Sequence, residues 1–202
     1  MIKNLLKPLV NFLPLSVKEF VQKEYEIREW KKQHLVKQLA IKEYKNKSNY
    51  STLVETGTYL GDMVYAQLNN FKQIYSIELG EDLWREAVAR FKDSSHVVIL
   101  QGDSSKILKD VVLELKGESI FWLDGHYSAG VTAKGDKECP VYEELTTILD
   151  SNLNHIILID DARCFNGIGD YPKKEELFKY ILSRRSKSKI EVKDDIIRVE
   201  LN

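Results

Sequence analysis

Cysteine is scarce in this chain of 202 residues: Cys139 and Cys164 are the two present, and their positions show no metal-ligand spacing. Without a secretory signal they read as reduced thiols rather than a disulfide, which makes the cytoplasm the expected compartment. An excess of basic charge is also missing. Lys and Arg number 30 against 31 Asp and Glu, a formal net charge of -1, so the electrostatic footprint of a nucleic-acid binder is absent. No apolar run approaches the length of a membrane span. The opening MIKNLLKPLVNFLPL superficially resembles a targeting segment, but Lys7 and Pro8 interrupt it and no small-residue cleavage site follows, so a signal peptide is not expected. It remains a candidate for peripheral membrane contact, with lysines toward headgroups and leucines below. The stronger reading is an arm that packs on its own domain or on a second copy, so a homo-oligomer is a candidate state. The length suits one α/β core with an N-terminal addition.

What the chain does have is a series of apolar runs that each end in acid. LVETGTYLG, residues 53–61, turns a β run into a glycine-spaced turn where a strand should feed a helix. Glu55 sits at the strand end, and Gly57 and Gly61 remove side chains where the backbone must turn tightly. QIYSIEL ends at Glu78, about twenty residues after the glycine turn, where a nucleoside-binding fold places a carboxylate on ribose hydroxyls. HVVILQGDS ends at Asp103, SIFWLDGHY at Asp124 and His126, and HIILIDDAR at Asp160 and Asp161. In an open parallel sheet the C-terminal edge is the ligand side, so five segments bring carboxylates to one crevice.

From Tyr50 onward strand and helix alternate without a repeat or linker, with helices expected near 59–69, 80–92, 104–115, 140–150 and 173–184. Short strands between such helices require parallel pairing with crossovers on both faces. KIEVKDDIIRVELN then suggests a closing hairpin around Asp194 and Asp195, hence one antiparallel strand. From Ser16 to about Lys45 the pattern is charged and intermittently apolar, consistent with one or two helices capped by Ser16. The expected division is a helical arm over residues 1–48 and a doubly wound α/β domain over 49–202. Because the sheet pattern is complete without it, the arm is expected to be dispensable for folding of the core.

These residues resemble the class I S-adenosylmethionine-dependent methyltransferases over nearly everything from Tyr50 to the C-terminus. The resemblance implies a mostly parallel seven-stranded sheet with an antiparallel C-terminal hairpin strand. It implies that ETGTYLG, with Glu55, Thr56, Gly57 and Gly61, holds the methionine part of S-adenosylmethionine. It further implies that Glu78 binds both ribose hydroxyls and that Asp103, with Ser104, lies against the adenine. The dehydrogenase pattern G-x-G-x-x-G is absent, which favours the sulfonium cofactor over NAD.

Chemistry beyond cofactor binding is expected at the fourth and fifth strand ends. Methyl transfer requires an aligned, water-shielded and nucleophilic acceptor. Asp124, Asp160 and Asp161 are an oxygen-donor set suited to Mg²⁺, and LDGHY and IDDA look similar to the metal-binding segments of catechol and sugar O-methyltransferases. His126 stands where that pattern has a second acid, and a neutral imidazole is a natural general base; the bland reading is that it orders the loop. Asp124 and His126 are thus the catalytic candidates. In the loop after the fourth strand Lys134 could meet an anionic acceptor, Glu143 and Glu144 suit the first turn of the helix that follows, and in a second loop after the fifth strand Arg163 could clamp an anion or pair with Asp161. Nothing like Asn/Asp-Pro-Pro-Tyr follows the fourth strand, so an oxygen acceptor on a small molecule or glycan is favoured over nitrogen. The alternative is a non-catalytic methyltransferase-like module that binds a nucleoside or a protein.

Overall fold

The computed structural model describes residues 14–125 and 139–202. Contacts divide the chain into two units, Met1–Lys37 and Gln38–Asn202. Helix α1, Leu15–Ser48, starts in the first and ends in the second. It begins directly after Pro14, so Ser16 lies inside the first turn instead of capping it. In the first unit the helix carries Phe20 and Trp30 exposed, with Trp30 stacked on His34 one turn on, ring centroids 5.1 Å apart. Among the described residues no helix is long and apolar enough to cross a membrane.

The second unit holds strands β1 (Thr52–Thr56), β2 (Gln73–Glu78), β3 (Val97–Gln101), β4 (Ile120–Leu123), β5 (Ile156–Ile159), β6 (Lys189–Lys193) and β7 (Ile196–Glu200). They form one seven-stranded sheet in the order β3-β2-β1-β4-β5-β7-β6. The pairs among β1 to β5 are parallel, and β7 runs antiparallel to both β5 and β6. The expected fold class is observed, including the terminal hairpin. Its turn residues Asp194 and Asp195 take φ of 56° and 62°. Two successive positive φ angles match a type I′ turn, whose twist suits flanking strands and which Asp tolerates better than most residues.

Helices α2 (Asp62–Gln67), α3 (Glu81–Arg90), α4 (Ser104–Glu114), α5 (Val141–Leu149) and α6 (Lys174–Arg184) connect the strands. Alternation along each strand sorts the core into two layers. Val54, Phe121, Ile157 and Val199 face Leu108, Leu145 and Ile181 of α4, α5 and α6. Leu53, Ile74, Trp122 and Leu158 share the opposite layer with Met63 and Val64 of α2.

That second layer also contains Ala40, Ile41 and Tyr44 of α1, each at most 3% exposed. The boundary of the core unit therefore falls at 37/38 and not at 48/49, and the last turns of the helix are core. Glu43 of the same turns reaches Arg198 of β7 at 3.1 Å, and the Arg198 side chain, 1% exposed, also meets Asp194 at 3.0 Å. A guanidinium so buried must be paired, because a lone buried charge is far costlier than the pair.

A chain begun at Gln38 is expected to unfold in urea at the midpoint of the full chain. One begun at Asn46 loses the burial of Ile41, worth about 1.5 to 3 kcal/mol, together with Tyr44 and the Glu43 partner of Arg198. Its midpoint should fall well below, and equal midpoints for the two truncations would show that these turns add nothing to the core.

Candidate functional site

The order of strands reverses between β1 and β4, since β2 and β3 lie to one side and β5 to the other. At such a reversal the flanking connections leave in opposite directions and open a crevice beyond the C-terminal strand ends. The turn after β1 enters it through Gly57, whose φ is +85°; a methyl group there would stand 2.4 Å from the Asp124 carbonyl oxygen. Glycine is required twice over, by the left-handed backbone and by contact with the β4 exit. Gly57 and Thr58 donate to the Ile77 carbonyl at 2.9 and 3.2 Å, and Asp124 donates to Thr56 O at 3.0 Å. Gly61, φ +77°, packs against the Phe91 ring instead.

Register places Glu55 opposite Ser76 on β2 and Trp122 on β4. Glu55 is 1% exposed and accepts from Ser76 Oγ, which pairs with Thr58 Oγ1 at 2.6 Å. Burial pushes the Glu55 carboxyl up to about 8, with Asp124 and Glu78 adding to the shift and Ser76 opposing it. Glu78, at the end of β2, accepts from Tyr59 N and from Gly80 N, both at 2.8 Å, one amide on each oxygen. A carboxylate has about four acceptor positions, so each oxygen retains room for a further donor.

On the other face Thr56 is fully buried, and its hydroxyl has no hydrogen-bond partner among the described residues. A methyl group on Gly125 would stand 3.0 Å from that hydroxyl and 3.2 Å from Glu144 Oε1. Glu144 is 2% exposed. It therefore lies under the β4 exit and is more than a solvated first-turn acid. Its burial was not legible, because a Glu in the first turn of a helix satisfies the dipole equally well from outside. Ser76 was also missed, although a serine within an apolar strand is a signal that could have found it.

Asp103 does what its position before a helix allows: Oδ1 accepts from Ser105 N at 3.0 Å and Ser105 Oγ at 2.7 Å, capping α4, while Oδ2 lies 3.5 Å from Lys106 Nζ. Ser104 opens that helix and is 8% exposed. The expected metal set is not found: among the described residues no group of three or more His, Cys, Asp or Glu side chains is placed to hold an ion. Two local causes are visible. Asp160 is fully buried and accepts from Asp161 N at 2.7 Å. Asp161 is left-handed, φ 51°, and is paired with Arg163 at 2.7 Å. Arg163 also pairs with Asp195, so of its two expected roles it fills the internal one. His126 and Lys134 lie outside the described residues. Cys139 and Cys164 are both free thiols.

No family model matches the sequence, and no curated protein matches it. In three dimensions the chain is similar to the SAH-bound methyltransferase PaMTH1 of Podospora anserina, with a TM-score of 0.56 and 15% identity over 95% of this chain and 98% of that one. It is also similar to the methyltransferase domain of the bacterial protein CtHen1, with a TM-score of 0.57 and 10% identity over 84% of this chain and 100% of that one. Likeness at such identities carries the fold, and the fold is that of the class I methyltransferases.

The buried carboxyl leaves a stability signature. Between about 4.5 and 8 the native Glu55 holds a proton that the unfolded chain has lost, so its contribution to stability falls as pH rises through that window. His155, at the opposite sheet edge, is driven down to about 4 mainly by burial. Its unfolded form binds the extra proton below 6.5, so its contribution rises with pH from about 4 to 6.5. The two oppose each other below 6.5, and of the two only Glu55 acts above it. Urea midpoints should therefore decline from pH 6.5 to 8, and Glu55→Gln should flatten that decline; an unchanged decline would mean that Glu55 is ionised in the native protein.

Proposed function

We propose that this protein is an S-adenosylmethionine-dependent methyltransferase acting on a hydroxyl of a small molecule or saccharide. The observation that carries the reading is Glu78. It stands on a methyltransferase fold at the end of β2, beside the strand reversal, with both oxygens fixed by backbone amides and able to accept from two vicinal hydroxyls. The glycine turn lies beside it, with its Tyr59 amide on Glu78, which suits a nucleoside with a zwitterionic tail. Bound there, the cofactor would supply an electrophilic methyl group.

The chain's own residues would hold the ribose through Glu78 and present the acceptor near Asp124 at the β4 exit. Removal of the acceptor proton falls to His126 in this reading, on the strength of its sequence position beside Asp124. Oxygen is preferred because the sequence after β4 is LDGHY and carries no amide-and-proline platform for an amine. Magnesium is left out, since Asp160 and Asp161 are engaged within their own turn.

Calorimetry with S-adenosylmethionine tests the core of the proposal. Glu78→Ala should weaken binding about 10- to 100-fold, the loss of charge-assisted hydrogen bonds worth roughly 1.5 to 3 kcal/mol. Unchanged affinity in a folded variant would reject the assignment. Methyl-labelled cofactor offered with a panel of hydroxylated and aminated acceptors separates oxygen from nitrogen transfer, and binding without label transfer to any acceptor would favour a non-catalytic module.

A further inference from the structure

Three carboxyl groups stand at adjacent strand ends on the face of the sheet that carries Leu53: Glu55 on β1, Glu78 on β2 and Asp124 beyond β4. Glu55 is the most enclosed, 1% exposed. A two-hydroxyl relay through Ser76 Oγ and Thr58 Oγ1 connects it to the glycine turn. The charged groups that act on it among the described residues are Asp124 and Glu78, both acids. Trp122 stands beside it on β4, and Met63 and Val64 of α2 belong to the apolar layer on this face of the sheet. Among the described residues Glu55 has acids and no cation for company, and an enclosed carboxyl so placed is held neutral. Such a group is poised to ionise when a positive charge arrives.

Resting on the methyltransferase reading above, we propose that Glu55 is the residue by which the site distinguishes the positively charged sulfonium cofactor from its neutral thioether product. It is protonated in the free and product-bound protein and gives up its proton when the sulfonium binds. The attraction between a cation and a carboxylate is strong in a site with little water, and it favours the ionised form. On binding, one proton passes from Glu55 to solvent. On transfer the sulfur–methyl bond breaks with its electron pair left on sulfur, and the oxygen–methyl bond forms. The acceptor hydroxyl proton leaves by way of the base, and Glu55 takes one proton back. The buried charge of the site is thus nearly the same before and after transfer, and the product, which no longer offsets a buried carboxylate, is released from a neutral one.

The test is calorimetry on the full chain with S-adenosylmethionine and S-adenosylhomocysteine from pH 6 to 8.5, in two buffers of different ionisation enthalpy. The α-ammonium and carboxylate are common to both ligands and cancel in the difference. At pH 7 the sulfonium ligand should release roughly half a proton or more beyond its product. Its preference over the product should grow about fivefold or more across the pH range, since one unit of pKa change is tenfold in affinity. Both differences should vanish in Glu55→Gln, which is isosteric with the protonated group, while both ligands still bind. Equal proton counts for the two ligands in the unmodified protein overturn the proposal whether or not the variant folds. So does a pH-dependent preference that persists in a folded Glu55→Gln. If the ligands bind without that difference, the methyltransferase reading stands and this inference fails; if neither binds at any pH, the reading fails and takes the inference with it.

Discussion

A backbone contact between two turns sets the working edge of this sheet. Gly57 lies so close to the Asp124 carbonyl that no β-carbon fits between them, and Asp124 N is tied back to Thr56 O. Everything at the reversal point is positioned from there. The left-handed turn carries Thr58 onto Ser76 and aims the Tyr59 amide at Glu78, while the β4 exit brings Gly125 over Thr56 and Glu144. An alanine at 57 would meet both an unfavourable φ and a hard backbone collision, and relief would require two strands to separate.

Burial then divides chemically similar groups into different roles. The chain as a whole is nearly neutral, yet the C-terminal edge of its parallel strands is acidic. Glu55 is sealed in with hydroxyl partners, Glu78 is held by two amides at the rim, Asp103 caps a helix, and Asp161 is neutralised by Arg163. At the far edge His155 shows the converse. Its Nδ1 accepts from Ser119 N at 3.1 Å, and burial keeps the ring uncharged.

The sheet and the acids at its C-terminal edge were legible because each strand is a short apolar run ending in a polar residue, and because helices of ordinary length separate the runs. The number of strands and their mostly parallel sense were readable through the resemblance, and the hairpin through Asp194 and Asp195. The contribution of α1 was not legible. Its sequence is charged on every side, and the core contacts come down to Ala40, Ile41 and Tyr44, a spacing that suits one helical face but is too short to stand out from the rest. The carboxylate trio forms no ion-holding group among the described residues, for a different reason. Adjacent strands do bring Asp124 and the Asp160–Asp161 pair to one edge, but a left-handed φ at Asp161 decides where its side chain goes, and no residue spacing encodes that. Asp103 was expected at the adenine and is seen capping α4, and a cap and a ligand contact can require the same residue type at the same place.

The C-terminal hairpin does more than close the sheet. Asp195 accepts from Ala162 N through its carbonyl and from Arg163 N through its carboxylate, each at 2.8 Å, and β7 lies between β5 and β6. Strands β1, β2 and β3 are neighbours both along the chain and in the sheet, so their half of the edge assembles through short chain closures. The exit of β5 must wait for a segment from far downstream, at a higher cost in loop entropy. The two halves of the crevice therefore mature on different schedules. A lesion in the Asp194–Asp195 turn would delay the β5 half and leave the glycine turn and Glu78 to form on time.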